Sequence, residues 1–170
     1  MRFFPVIIIF AIIVVMGSFL LSGKNPNELI SSLIDKKVPD ITFPAVKGYK
    51  DLTPDYFIKS KQKVTLINFF ASWCGPCKQE HSELMRIKNL GVPIIGVAYN
   101  DKEKNILKFI HQNGNPYINI VKDVDGNQAY EWGLVGVPET FFVDSKGIIK
   151  YRHTGPITFD IYRKIMRDKL

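Results

Sequence analysis

The chain has 170 residues, 46% of them hydrophobic, and its excess of Lys and Arg over Asp and Glu gives a net charge of +7. This length suits one domain, or one domain with an appendage, because soluble domains cluster near ~100–150 residues. The basic residues are scattered, with no block of five or more and no stripe interleaved with aromatic side chains. We therefore expect a solvated surface and exclude a nucleic-acid interface.

The N-terminal segment carries no charge from Phe3 to Leu21 and is dominated by Ile, Val, Phe and Leu. About 20 apolar residues span a bilayer core as a helix, whereas a cleaved signal usually has an apolar region of ~7–15 residues ending at a small-x-small site. Ser22-Gly23 fits such a site poorly. We predict one transmembrane helix that anchors the chain, over residues 1–23, with a removed signal as the alternative. Arg2 favours a cytoplasmic N terminus, although charge alone allows both topologies.

A polar tether is predicted over residues 24–39 and a globular domain over residues 40–170. Within the domain, Ile41–Phe43 predicts a first strand, and Leu52–Lys59 predicts a turn followed by a short helix. Val64–Ala71 is almost wholly apolar, which is typical of a central strand buried on both faces.

The two cysteines, Cys74 and Cys77, lie between this strand and a helical pattern over Lys78–Leu90. Their spacing lets them close a disulfide across the first turn of the helix. A loop this short restrains the unfolded chain very little, which argues against a purely structural disulfide. A zinc site needs about four ligands and only His81 is near in sequence, so no metal is expected. The pattern predicts a redox-active disulfide with no other cofactor, and the structural disulfide and the metal clip are the alternatives.

Cys74 is predicted to be the nucleophile, because unpaired N–H groups and the dipole at a helix N terminus favour a thiolate. In such motifs the thiol pKa can fall from about 8.5 to roughly 7 or below. Cys77 would then resolve the mixed disulfide that Cys74 forms with a substrate.

Glu80 falls on the apolar face of the helix, because it shares that face with Leu84 and Ile87 when positions are counted from Cys77. A buried carboxylate is costly unless it is paired or neutralised. One reading is functional: burial would raise its pKa and let it exchange a proton with Cys77. The other reading is a structural salt bridge to a lysine such as Lys78 or Lys150.

The rest of the domain alternates strands with helices. Asp101 is predicted to cap a helix that carries Ile106, Leu107 and Ile110 on one face. The other predicted elements are strands at Pro93–Tyr99 and Tyr117–Val121, a brief helix through Ala129 to Trp132, a hairpin of Thr140–Asp144 and Ile148–Arg152, and a final helix at Ile157–Leu170. Strands that alternate with helices and finish in a hairpin predict an α/β fold, a mixed β-sheet with helices on both faces.

Trp73-Cys74-Gly75-Pro76-Cys77 after a buried strand, together with Val137-Pro138 before a later strand, makes the domain resemble the thioredoxin superfamily. The anchor, Glu80-His81, the stretch from Gly133 to Phe141 and the stretch from Tyr151 to Pro156 resemble more narrowly the membrane-anchored cytochrome c biogenesis branch, the CcmG/DsbE type. The resemblance implies a thioredoxin fold.

One position departs from ordinary cytosolic thioredoxins. Those proteins carry a buried Asp six residues before the first active-site cysteine, where this chain has Asn68. By resemblance to the anchored reductases, the acid has moved to Glu80.

The resemblance also implies a substrate-binding wall opposite the cysteines. Pro138 is expected in cis, so that the backbone at Val137 can pair with a bound peptide. Glu139 is expected near the sulfurs, where it would influence substrate choice or redox poise; the alternative is an exposed acid at a strand end. Trp73 is expected to shield the sulfurs, and Gly75-Pro76 completes the binding residues. Phe69, Phe70 and Phe141 are expected in the core, and His153 is expected to be a hydrogen-bonded turn residue.

The function implied by the resemblance is that of a thiol:disulfide oxidoreductase in the periplasm, anchored by one span in a bacterial inner membrane. Its client would be apocytochrome c, or a haem-lyase component, and its electron donor an integral-membrane thiol reductase. The alternatives are a general or copper-site disulfide reductase, a disulfide oxidant, and a non-enzymatic cytochrome assembly factor.

Overall fold

The computed structural model of the protein describes residues 4–21, 32–60 and 62–170. The first helix, α1 (Phe4–Leu21), coincides with the uncharged N-terminal run. Among the described residues, none of the helices meets the length and hydropathy required to cross a membrane. Part of the predicted anchor and much of the predicted tether lie outside these residues. The described end of the tether packs against the domain, since the N–H groups of Asp35 and Val38 donate to the carbonyls of Ile149 and Gly147 at 2.8 Å.

The domain is built on a five-stranded mixed sheet in the order β3-β2-β1-β4-β5. The strands are β1 (Val64–Phe70), β2 (Ile94–Tyr99), β3 (Asn119–Asp123), β4 (Glu139–Asp144) and β5 (Ile149–Thr154). The strand β1 pairs in parallel with β2 and antiparallel with β4, and the hairpin of β4 and β5 closes one side. All positions of β1 after Val64 are buried, as its apolar sequence predicted.

Five helices flank this sheet: α2 (Asp55–Lys59), α3 (Gly75–Lys88), α4 (Glu103–Asn113), α5 (Asn127–Glu131) and α6 (Phe159–Asp168). Successive side chains of β1 point to opposite faces. Leu66 and Phe70 pack with side chains of α3, α4 and α6, whereas Ile67 and Phe69 pack with those of α2 and α5. The predicted mixed sheet with helices on both faces is therefore confirmed. Phe69, Phe70 and Phe141 are core residues, as predicted.

Two local predictions were wrong. Residues 41–43 form no strand; Phe43 makes only an isolated bridge with Leu52, because Pro39 and Pro44 cannot donate to a longer ladder. Asp101 does not cap α4, whose N-cap is Lys102 without a side-chain hydrogen bond. The Asp101 carboxylate accepts from the N–H of Lys102 at 2.7 Å and from the N–H of Ser72 at 2.6 Å, so it ties this loop to the segment before the cysteines.

The buried face of α4 also differs from the prediction. Ile106 and Ile110 are buried together with Phe109, whereas Leu107 is exposed. Positions three and four residues after Ile106 share its face of the helix, and the next residue in the chain does not.

Candidate active site

The cysteine pair lies where the buried strand β1 ends and α3 begins. Cys74 is the N-cap of α3, and its Sγ accepts a hydrogen bond from the Cys77 N–H at 3.1 Å. Pro76 lies in the first turn, where a missing N–H costs no helical hydrogen bond. The two sulfurs form a disulfide with an S–S distance of 2.18 Å. Sequence spacing therefore placed both cysteines correctly at a helix N terminus.

Trp73 and Gly75 present the side of the site that faces solvent. The Trp73 side chain is 57% exposed, and its indole Nε1 donates to the Asn100 carbonyl at 3.0 Å, so it lies toward the loop after β2. A Cβ at Gly75 would meet nothing within 4 Å. The two cysteines themselves are buried, so Trp73 and Gly75 form the exposed border of the site.

Val137 and Pro138 lie beside the cysteines, as predicted. The Val137–Pro138 peptide bond is cis. The Val137 carbonyl oxygen lies 3.6 Å from Cys74 Sγ. The tertiary structure therefore brings together the two segments that the sequence separates by more than sixty residues.

Glu139 does not point into solvent at a strand end, so the alternative of an exposed acid was wrong. It is buried and forms an ion pair with Arg152, with 2.7 Å between Oε2 and Nη2. Its other oxygen accepts from the N–H groups of Val135 and Gly136 at 3.0 and 3.2 Å. Burial raises the pKa of Glu139, although Arg152 and these N–H groups oppose the shift. Sequence reasoning missed Arg152, which also donates to the Gly133 carbonyl at 2.9 Å.

Glu80 is buried on the core side of α3, three positions after Cys77. Its Oε1 accepts from Asn68 Nδ2 at 2.9 Å, and its Oε2 accepts from the Ile157 N–H at 2.8 Å. Burial raises the pKa of Glu80 from 4.5 to about 7, and these two hydrogen bonds partly offset that rise. At neutral pH this carboxyl is therefore poised between its protonated and ionised forms.

The structural alternative for Glu80 was wrong. Lys150 pairs with Asp35 on the protein surface instead. In the part of the chain that the structure describes, Glu80 has no ion pair with Lys78 or with any other lysine.

A buried polar network surrounds the Glu80 carboxyl. Asn68 also donates from Nδ2 to the Thr140 hydroxyl at 3.1 Å, and its Oδ1 accepts from the Tyr117 hydroxyl at 2.9 Å. Burial, and then the nearby Glu80, raise the Tyr117 pKa well above its ordinary value. The sequence flagged Asn68 only as the place of a missing acid, and Tyr117 and Thr140 only as parts of strands.

The histidines near the site are held by backbone carbonyls. His81 Nε2 lies 2.9 Å from the Gly114 oxygen, and His153 Nε2 lies 3.3 Å from the Pro156 oxygen. His153 is therefore hydrogen-bonded as predicted, but it lies in β5 and not in a turn. Among residues 4–21, 32–60 and 62–170, no group of three or more His, Cys, Asp or Glu side chains is placed to hold a metal ion.

One family model and several known thiol:disulfide interchange proteins are similar to this chain. The chain matches the Redoxin family model over residues 34–166. It is 39% identical over 140 residues to the thiol:disulfide interchange protein DsbE of Allochromatium vinosum, covering 81% of this chain and 76% of that protein. It is 35% identical over 171 residues to the thiol:disulfide interchange protein DsbE of Pasteurella multocida, covering 99% and 91%.

A solved structure supports the fold. The thioredoxin domain of a thiol-disulfide oxidoreductase from Bacteroides vulgatus aligns with a TM-score of 0.64 at 24% identity, over 82% of this chain and 100% of that one. This likeness confirms the predicted thioredoxin fold.

Proposed function

The chain belongs to the Redoxin family as a thiol:disulfide oxidoreductase, and on this premise we propose that it reduces the disulfide of apocytochrome c, or of its chaperone, before haem attachment. The observation that carries the proposal is the Cys74–Cys77 disulfide at the start of α3, with Cys74 Sγ 3.6 Å from the Val137 oxygen. A client cysteine that reaches Cys74 would lie beside the Val137 backbone, next to a cis proline.

The reaction transfers two electrons from the reduced protein to the client disulfide. The Cys74 thiolate attacks one client sulfur, so that a mixed disulfide forms and the other client sulfur leaves as a thiolate and takes up a proton. Cys77 then loses its proton and attacks Cys74 Sγ. The mixed disulfide breaks, the second client thiolate leaves and is protonated, and the Cys74–Cys77 disulfide remains. An integral-membrane thiol reductase is the proposed donor that reduces it again.

Glu80 is the proposed acceptor for the Cys77 proton. Both residues are buried on α3, where water cannot readily take the proton. With its pKa raised to about 7, the Glu80 carboxylate is basic enough to accept the proton and acidic enough to release it afterwards. Above this pH the ionised form favours resolution by Cys77, whereas below it the protonated form favours reopening of the disulfide by the donor.

The substrate surface is proposed to run from Trp73 to the loop before Pro138. Trp73 and Val135 are 57% and 73% exposed, so both offer apolar area to a peptide. The backbone at Val137 would pair with an extended client segment, a mode in which main-chain hydrogen bonds give affinity. The Glu139–Arg152 pair holds this loop from below.

The N-terminal segment is the proposed membrane anchor. Its uncharged run reaches from Phe3 to Leu21, about the length needed to span a bilayer core. We place the catalytic domain on the periplasmic side of a bacterial inner membrane, where clients and a membrane-embedded donor would both reach it.

Trapping of the client tests the proposed function. A Cys77→Ala variant lacks the resolving thiol, so Cys74 is expected to stay joined to its client as a mixed disulfide. The adduct, purified from cells that assemble c-type cytochromes, should release an apocytochrome c or a haem-lyase component on reduction. Cys74→Ala/Cys77→Ala is the matched control and should trap nothing.

Other outcomes would contradict the proposal. A trapped copper-site protein, or a broad set of unrelated clients, would indicate a different reductase. Normal cytochrome maturation in a Cys74→Ala strain would indicate an assembly factor that needs no thiol. A reduction potential close to that of the strong oxidases would indicate an oxidant.

A further inference from the structure

Tyr117 lies outside the cysteine site in the sequence, yet its side chain reaches the Glu80 network. It precedes the edge strand β3, and its ring crosses β2 where that strand has a glycine. Gly96 is the register partner of Asn68, and a Cβ there would lie 2.9 Å from Tyr117 Cγ. The ring stacks on Phe70 with 4.9 Å between centroids. The absence of a side chain at Gly96 therefore opens the path by which the Tyr117 hydroxyl meets Asn68.

The backbone fixes Tyr117 in this position. Its N–H donates to Asn115 Oδ1 at 2.9 Å, and the next N–H, that of Ile118, donates to the Ile94 carbonyl at 2.8 Å. The Tyr117 side chain is buried, and so is the hydrogen bond that its hydroxyl donates to Asn68. A buried hydroxyl in a fixed place can orient a neighbouring amide.

The Asn68 amide has partners on both of its polar atoms. Nδ2 has two hydrogens, and they go to Glu80 Oε1 and Thr140 Oγ1. Oδ1 accepts from Tyr117. An ionised carboxylate can only accept hydrogen bonds, so an amide turned the other way would place its oxygen against that of Glu80. A hydroxyl that donates to Oδ1 favours the orientation that the ionised Glu80 needs.

We propose that Tyr117 is a positioning residue for thiol–disulfide exchange, whose hydroxyl holds the Asn68 amide with Nδ2 directed at the Glu80 carboxylate. This inference rests on the proposed function, in which Glu80 accepts the Cys77 proton. Hydrogen bonds in a buried chain polarise one another, so the Tyr117 bond strengthens the one from Asn68 to Glu80. Removal of the hydroxyl leaves Asn68 Oδ1 unpaired. It also weakens the hydrogen bond from Asn68 that stabilises the ionised Glu80 carboxylate.

Among the described residues, other titratable groups do not bond to the Glu80 carboxyl. The buried ones on neighbouring elements are His81 on α3, His153 on β5 and Tyr162 on α6, while Cys77 is held in the disulfide. The two histidines bond to backbone carbonyls, and burial lowers the pKa of each, which favours their neutral forms. In the described chain, the groups that bond directly to the Glu80 carboxyl are Asn68 and the Ile157 N–H.

Carbon-13 NMR of the side-chain carboxyls tests the proposal on the purified, oxidised full chain. Glu80→Gln identifies the Glu80 signal by its loss. Tyr117→Phe removes only the hydroxyl and is expected to move the Glu80 midpoint upward by about half to one pH unit. The pH profile of the exchange rate should move in the same direction. Tyr162→Phe removes a hydroxyl from the same core without touching Asn68 and should leave both midpoints in place.

An unchanged Glu80 midpoint in Tyr117→Phe overturns the proposal. A measurement on the unaltered chain guards against loss of folding in that variant: the ¹³Cζ signal of Tyr117 should change with the midpoint of Glu80, and a flat signal contradicts the link. If Glu80→Gln leaves the rate profile unchanged, the proton step of the proposed function fails. The carboxyl midpoint still decides whether Tyr117 acts on Glu80, so the two failures are distinguishable.

Discussion

The Glu80 carboxyl combines burial with hydrogen bonds to both of its oxygens. The N–H of Ile157 and the Asn68 amide satisfy it from two sides, and neither carries a charge. Neutral donors reduce the free-energy cost of ionising a buried acid, but they do not remove that cost. A lysine partner would have lowered the pKa much further. This explains why a fully buried acid still titrates near neutral pH, as its pKa of about 7 indicates.

The pH dependence of stability offers a direct check on Glu80. The folded-state pKa of about 7 exceeds the ordinary value of 4.5, so between these values the folded chain keeps a proton that the unfolded chain has lost. Raising the pH removes that proton and destabilises the fold. Relative to Glu80→Gln, the wild-type free energy of unfolding should fall by about 3 kcal/mol from pH ~4 to pH ~8. Urea unfolding of the oxidised proteins measures it.

The matched control for this prediction is Glu131→Gln, which neutralises an exposed acid on α5. The difference in unfolding free energy between this variant and the wild type should change little over the same pH range. A constant difference between wild type and Glu80→Gln would show that Glu80 does not titrate in the folded chain near neutral pH.

The hairpin of β4 and β5 supports the loop before Pro138, which is the proposed substrate-binding wall. Glu139 at the start of β4 and Arg152 on β5 face each other inside the protein, and together they bind three backbone groups between Gly133 and Gly136. The guanidinium also lies over the Phe141 ring, 5.4 Å from its centroid. The loop before Pro138 therefore owes its place to an ion pair on regular strands.

Removal of the arginine should damage both the fold and the site. Arg152→Met leaves the Glu139 carboxylate buried without its charged partner, which is expected to cost about 3 kcal/mol of unfolding free energy. The loop loses its anchor at the Gly133 carbonyl, so exchange with a peptide disulfide should slow as well. Urea unfolding and stopped-flow fluorescence of Trp73 would measure the two effects.

The double variant Glu139→Gln/Arg152→Met separates charge from packing. It carries no unpaired charge and should be more stable than Arg152→Met alone. If the double variant were the less stable of the two, the loss would come from packing and not from the stranded carboxylate.

The molecule divides into an apolar N-terminal helix and a domain with its own core. The domain begins by residue 35, because Asp35 and Val38 bond to the backbone of the hairpin of β4 and β5. The described residues form two hydrophobic clusters, one on each face of the sheet. All of the residues in these clusters lie in this domain or within a few positions before residue 35. The catalytic domain should therefore fold without α1.

Truncation tests this organisation and the proposed anchor together. A chain that starts at residue 32 is expected to remain in the supernatant after high-speed centrifugation and to keep the full-length rate of disulfide exchange in solution. The full chain is expected to sediment with membranes. Full-length protein in the supernatant would contradict the anchor, and an inactive truncated chain would contradict an independent domain.

The sequence by itself determined those features of the protein that depend only on neighbouring residues along the chain. The apolar run of β1, the two-residue spacing of the cysteines and the helical period that buries Glu80 each follow from side-chain periodicity. The cis bond at Pro138 came from family resemblance and was found in the structure.

Only the tertiary structure decided which distant groups meet. Asn68, Thr140 and Tyr117 belong to different strands or loops, so their shared network depends on sheet order and register, and on the bare backbone at Gly96. The same holds for Glu139, whose partner Arg152 lies across a strand pair, and for Asp101, whose carboxylate reaches the distant N–H of Ser72. Hydrogen bonds and ion pairs form between groups that are close in space, and no local period encodes that closeness.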